Sequence, residues 1–188
     1  MDVSVFHALN GLAGRADWAD HLIKGLATYL PVVMGALLVA AWFWPEVGEE
    51  RGVRERLVVY AVASALIGLA ISQVIGHIWF RDRPYVDHHA FLLLTPSGDP
   101  SFPSDHAVGA FGLAMPFIFA RKRLGWLLFG LACLLAMSRV AAGTHYPSDV
   151  LGGAVVGTVA AAIVWRARTW IDPVLSPCFT LARRFHLA

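Results

Sequence analysis

Three short stretches concentrate nearly all the reactive polar side chains of this chain. The first is Arg81-Asp82-Arg83-Pro84 and the second is Ser101-Phe102-Pro103-Ser104-Asp105-His106. The third opens on Ser138-Arg139 and continues to Gly143-Thr144-His145-Tyr146-Pro147-Ser148-Asp149. A histidine followed four residues later by a carboxylate, as His145 is by Asp149, has the logic of an activated imidazole. The carboxylate fixes the tautomer and stabilises the cation that develops. Such a histidine can attack phosphorus and become a phosphohistidine. His106 could protonate the leaving oxygen and then activate water. Arg83 and Arg139 offer charge and bidentate hydrogen bonds to phosphate oxygens, which would stabilise the transition state. Either histidine alone could be an ordinary polar loop residue; their company and spacing single them out.

The elements that must position these residues are membrane helices. The chain has 188 residues, 57% of them hydrophobic and only 15% charged, with mean hydropathy +0.61. Long uncharged apolar runs in such a composition indicate an all-α integral membrane protein. Five spans are expected, over Leu26–Trp44, Leu57–Gly76, Asp105 to just before Arg121, Leu124–Val140 and Asp149–Trp165. Apolar residues at helical spacing (Val3, Phe6, Leu9, Leu12) predict a short interfacial helix before them. The tail after Arg166 reads as an amphipathic segment on the membrane. The whole reads as one domain over 1–188, with a core of about 22–168 and no room for a second. Cys133 and Cys178 suggest neither a disulfide framework nor a zinc site. His88-His89 reads as a solvated turn, so no metal and no cofactor is expected. Nothing points to nucleic acid, and no oligomer is predicted.

Basic residues in short loops set the orientation. Arg51, Arg54 and Arg56, then Arg121-Lys122-Arg123, then Arg166, Arg168, Arg183 and Arg184 fall on one side of a five-span bundle. That side is assigned to the cytoplasm. All three reactive stretches then lie at the opposite, extracytoplasmic face, where Arg81 and Arg83 go against the charge rule. Ser104 and Ser148 are expected as N-cap residues of the two spans that start there. Two positive helix ends would thus face one surface, a favourable place for phosphate.

Three segments resemble the signatures of the type-2 phosphatidic acid phosphatase superfamily. The third motif of that family is Ser-Arg, five residues, His, three residues, Asp, and Ser138, Arg139, His145 and Asp149 match it in full. The second is Pro-Ser-Gly-His, here Pro103-Ser104-Asp105-His106. The first is a lysine, six residues, then Arg-Pro; Arg83-Pro84 matches but Gly76 stands at the lysine position. The resemblance implies a catalytic set of His145, His106 and Asp149. It also implies a phosphate-binding set of Arg83, Arg139, Ser104, Asp105 and Ser138, with Arg81 or His77 standing in for the lysine. Asp105 and the absent lysine are similar to the bacitracin-resistance type of undecaprenyl-diphosphatase. Membership of that subgroup would make the partner a polyprenyl diphosphate lipid in the cell membrane, hydrolysed without metal to recycle the lipid carrier of peptidoglycan. A phosphatidate or phosphatidylglycerophosphate phosphatase of the same superfamily is the first alternative, and a non-catalytic headgroup-binding or transport protein the second.

Other polar and small residues read as structural. Gly153 and Gly157 form a small-xxx-small pair for close helix packing. Ser64, Ser72 and Gln73 are expected to hydrogen-bond between helices, and Trp79 and Phe80 to anchor the interface.

Overall fold

The computed structural model describes residues 2–44, 49–87 and 90–184, so the His88-His89 turn lies outside the described residues. Seven helices and no strand are found among them: α1 (Asp2–Asn10), α2 (Asp17–Phe43), α3 (Glu49–Ile78), α4 (Pro84–Asp87), α5 (Asp105–Phe119), α6 (Arg123–Ala141) and α7 (Pro147–Arg184). Four of these, α2, α3, α6 and α7, are long and apolar enough to cross a membrane. The fifth expected span, α5, has 15 residues. At 1.5 Å per residue it extends only ~22 Å, short of a ~30 Å hydrocarbon core. The chain entering it is packed inside the protein, with Ser101, Pro103 and Ser104 buried. This loop re-enters the bundle, which non-helical backbone does only where protein or a cavity surrounds it.

Helix α5 is wedged between α3 and α7 by small residues. A Cβ on Gly112 would lie 2.9 Å from Ala65 Cα, and one on Gly157 would lie 2.4 Å from the Val108 carbonyl oxygen. A Cβ on Gly153 would lie 2.6 Å from the Ser104 carbonyl oxygen. The expected glycine pair therefore brings α7 against the N-terminal half of α5, where the reactive residues begin. The outward faces remain apolar and exposed, with Val32, Leu66, Leu151 and Val155 among them, as a lipid-facing surface requires.

The bundle's basic end is closed by capping. Arg121 adopts φ 55°, and the bonds Arg121 N–H to Ile118 O (2.8 Å) and Lys122 N–H to Phe117 O (2.9 Å) complete a Schellman turn after α5. Arg54 donates to the carbonyls of Ala41 and Trp44, both at 2.6 Å, satisfying the last turn of α2.

Two peripheral elements differ from expectation in how they dock. The tail is not a separate segment: α7 continues through Pro173 and Pro177 to Arg184. It packs back on the bundle, with Phe179 buried 6.1 Å from the Trp42 ring and the Tyr60 hydroxyl donating to Asp172. The N-terminal helix α1 buries Phe6 and Asn10, while Val3 and Leu12 of the predicted apolar stripe stay exposed. Polar Asn10 is buried because Phe91 and Ala141 give it partners, a pairing that periodicity cannot reveal.

Candidate active site

The turn after α6 sets the histidine. Gly143 has φ +82°, and a Cβ there would meet the Phe91 carbonyl oxygen at 2.6 Å, so glycine is required. Thr144 closes the turn by donating its hydroxyl to the Arg139 carbonyl at 2.9 Å. His145 follows, 2% exposed. Its Nδ1 lies 2.9 Å from the Ser101 carbonyl oxygen, which can only accept; Nδ1 therefore carries the proton. The lone pair is left on Nε2, which faces Arg83 Nη1 at 3.4 Å. Tautomer control, which the His-Asp spacing predicts for Asp149, lies elsewhere in the structure. Asp149 Oδ2 is 3.8 Å from Nδ1, an electrostatic neighbour rather than a hydrogen-bond partner. The Ser101 backbone fixes the tautomer, and Asp149 is left to stabilise positive charge. Burial pushes the imidazole below its ordinary range; the cations of Arg83 and Arg139 push the same way, against Asp149.

Arg83 and Arg139, the two arginines expected to bind phosphate, both lie within electrostatic reach of the His145 ring. Arg83 is held by its Nε on the Asp99 carbonyl (3.0 Å) and by Nη1 on the Thr144 carbonyl (3.3 Å). Two buried side-chain polar atoms lack a hydrogen-bond partner among the described residues: Ser104 Oγ and Arg139 Nε. Ser104 sits at the N-cap of α5 as expected but makes no capping bond, and its backbone N–H goes to the Asp149 carbonyl at 3.0 Å. A buried hydroxyl and a buried guanidinium nitrogen left open are costly in a folded protein unless a ligand completes them. His106, in the first turn of α5, is exposed and within electrostatic reach of Arg139, His145 and Arg83.

Other expected ligands are otherwise engaged. Ser138 donates to the Leu135 carbonyl of its own helix at 2.7 Å. Asp105 is held by α3 through Ser72 Oγ (2.5 Å) and Gln73 Nε2 (3.0 Å). These are the interhelical bonds expected of Ser72 and Gln73, whereas Ser64 donates within α3, to the Tyr60 carbonyl at 2.6 Å. Arg81 bridges two carboxylates, Asp149 at 2.6 Å and Asp2 at 2.8 Å. Both its terminal nitrogens are thus engaged by side chains of α1 and α7. Helix α7 begins at Pro147, so Ser148 lies inside the first turn rather than at the N-cap. Asp149 accepts the Tyr146 N–H at 2.8 Å, the reach of a third-position carboxylate back to the N-cap backbone. It also accepts the Ser101 hydroxyl at 2.5 Å. Ser101, Asp2 and Asn10 contact this segment although neither their type nor their spacing singles them out. Ser101 adjoins the second motif, a signal that could have been used; Asp2 and Asn10 carry no local signal.

Two cavities adjoin the site. One, of about 280 Å³, is lined by Gln73, Gly76, His77, Phe80, Pro100 and Asp105. Gly76, where a lysine was absent, is on its wall, and a Cβ there would already approach Pro100 at 3.2 Å. The second, of about 240 Å³, is an apolar groove between α2, α5 and α6, lined by Pro31, Met34, Gly109, Ala110, Leu113 and Leu135, with His106 at its head.

Comparison with known proteins gives the family. Residues 57–172 match the PAP2 superfamily, and the chain belongs to that superfamily: it is a multi-pass membrane phosphatase. It is 30% identical over 173 residues to the undecaprenyl-diphosphatase BcrC of Bacillus subtilis, covering 92% of this chain and 87% of that one. It is 34% identical over 171 residues to the putative undecaprenyl-diphosphatase YbjG of Escherichia coli, covering 89% and 84%. The fold is similar to the crystal structure of Aquifex aeolicus LpxE, with TM-score 0.73 at 23% identity over 88% of this chain and 94% of that one.

Proposed function

We propose that this protein hydrolyses undecaprenyl diphosphate to undecaprenyl phosphate and inorganic phosphate through a phosphohistidine, with its active site on the extracytoplasmic face. The observation that carries this reading is the pair of unpartnered buried atoms, Ser104 Oγ and Arg139 Nε, in the same site as the unprotonated Nε2 of His145. A tetrahedral anion bound there would give both atoms a partner. In the first step Nε2 attacks the terminal phosphorus. The P–N bond forms as the bond to the bridging oxygen breaks, and His106 gives that oxygen its proton. The imidazolium that results has the Ser101 carbonyl and the Asp149 carboxylate behind it. In the second step water loses its proton to His106 and attacks phosphorus, releasing phosphate and restoring Nε2. Throughout, Arg83, Arg139 and the free N–H groups at the start of α5 would hold the equatorial oxygens.

The choice of a polyprenyl diphosphate is supported by the names of the two relatives above and by the groove below His106, whose apolar walls suit a lipid chain. The extracytoplasmic assignment is supported by basic residues collecting at the other end of the bundle. The test is phosphate release by purified protein in detergent from undecaprenyl diphosphate, phosphatidate and phosphatidylglycerophosphate, with and without a chelator. Undecaprenyl diphosphate should be turned over best, and with chelator present. Equal or faster turnover of phosphatidate would sink the substrate assignment. The His145→Ala variant should lose several orders of magnitude in rate, on the order of 10⁴-fold or more; an active alanine variant would remove the phosphohistidine.

A further inference from the structure

Helix α1 is too short to span a membrane, yet it grips the His145 segment at both ends. At one end the Asn10 side-chain amide donates to the Ala141 carbonyl (2.9 Å) and the Phe91 carbonyl (2.8 Å) and accepts the Phe91 N–H (2.9 Å). In the middle the Phe6 ring lies 5.6 Å from that of Tyr146. At the other end Asp2 accepts the Ser148 N–H (3.0 Å), the Ser148 hydroxyl (2.5 Å) and Arg81 Nη2 (2.8 Å). Arg81 Nη1 in turn donates to Asp149 Oδ1 and to Ser148 Oγ, both at 2.6 Å, and its guanidinium lies 4.1 Å from the Tyr146 ring centroid. One cation is thus shared between two carboxylates, and one of those is the carboxylate behind the nucleophile. Burial alone would raise the Asp2 carboxyl, but bonds from Ser148 and Arg81 outweigh it and hold it below its usual range.

We propose that α1 is a brace of the active site and that Asp2 is a positioning residue acting through Arg81 on Asp149. The inference rests on the histidine mechanism above. When His145 becomes phosphorylated its ring turns cationic, and the negative charge of Asp149 is what meets that cation. Asp2 holds part of the Arg81 charge away from Asp149. Removing the Asp2 charge leaves the guanidinium to Asp149 alone, adds one net positive charge beside the imidazolium, and raises the barrier. A plain helix cap on α7 would have a different consequence, loss of stability independent of Arg81.

Asp2→Asn separates the two, because it keeps an acceptor for Ser148 and removes the charge. With undecaprenyl diphosphate in detergent, kcat of Asp2→Asn should fall on the order of tenfold while KM and the melting temperature change little. Asp2→Glu, which keeps the charge, should recover most of the rate. In an Arg81→Met background the Asn substitution should alter kcat less than about twofold, since the residue it acts through is gone. An Asn variant as fast as the parent overturns the proposal. So does a loss of equal size in the Arg81→Met background, or a Glu variant no better than the Asn variant. A parent chain inactive on every lipid would overturn the proposed function and this inference together; an active parent with an indifferent Asn variant overturns the inference alone.

Discussion

His145 can attack through Nε2 only while Nδ1 holds the ring proton, and the Ser101 carbonyl at 2.9 Å ensures that. In the proposed mechanism the attacking form is the neutral one. Burial, with Arg83 and Arg139 adding to it, lowers the imidazole pKa, so the neutral form persists to lower pH than in a free histidine. The acid limb of the kcat/KM profile should therefore have its midpoint below about 6.5, the ordinary histidine value. A midpoint at or above that value would count against His145 as the group that must be neutral. The open atoms lead to a second expectation at this scale. Ser104→Ala removes a buried hydroxyl that has no partner without ligand, so it should leave the melting temperature unchanged or slightly raised. The same substitution should lower kcat/KM by roughly 100- to 1,000-fold, as loss of one transition-state donor does. A variant that loses stability and keeps its activity would assign Ser104 to the fold instead.

Helices matter to this chemistry through their separation. The proposed nucleophile precedes α7 and the candidate acid lies in the first turn of α5, so the distance between these two helices sets whether both reach one phosphorus. That distance is held by Gly153 and Gly157, whose missing side chains let α7 approach the α5 backbone. Gly157→Leu would force the pair apart, because its Cβ alone would meet the Val108 carbonyl oxygen at 2.4 Å. Overpacking of this kind costs about 1–3 kcal/mol. The expected signature is a lower melting temperature together with a fall in kcat far beyond what the unfolded fraction explains. Gly25→Leu, whose Cβ would meet nothing within 4 Å, is the matching control and should change neither.

At the scale of the molecule, the groove of α2, α5 and α6 leads away from His106 along apolar walls. Gly109 lines it, and a side chain added there would enter open space rather than strike a neighbour. Gly109→Phe should accordingly fold normally and obstruct the groove. For undecaprenyl diphosphate KM should rise at least tenfold, while a short water-soluble diphosphate should be hydrolysed as before. Equal effects on both substrates would move the lipid chain elsewhere, and no effect on either would leave the groove without a role in binding. The four long helices and their exposed apolar faces agree with a bilayer setting for this test.

Much of this protein was legible in its order of residues. Apolar runs marked the spans because a backbone in lipid must satisfy its own hydrogen bonds, which leaves helices as the local solution. Arg83, Arg139, His106, His145 and Asp149 stood out because phosphoryl transfer needs those side-chain types and because their spacing is partly local. The small residues of α7 signalled close packing for the same local reason. Folding in three dimensions settled what no window of sequence contains. The carbonyl that sets the His145 tautomer comes from a residue 44 positions earlier, and Arg81 pairs with a carboxylate 79 positions away. A backbone oxygen looks alike at every residue, and an acidic side chain near the chain's start looks like any solvated one. Only the packing of α1 against the turn before α7 tells them apart.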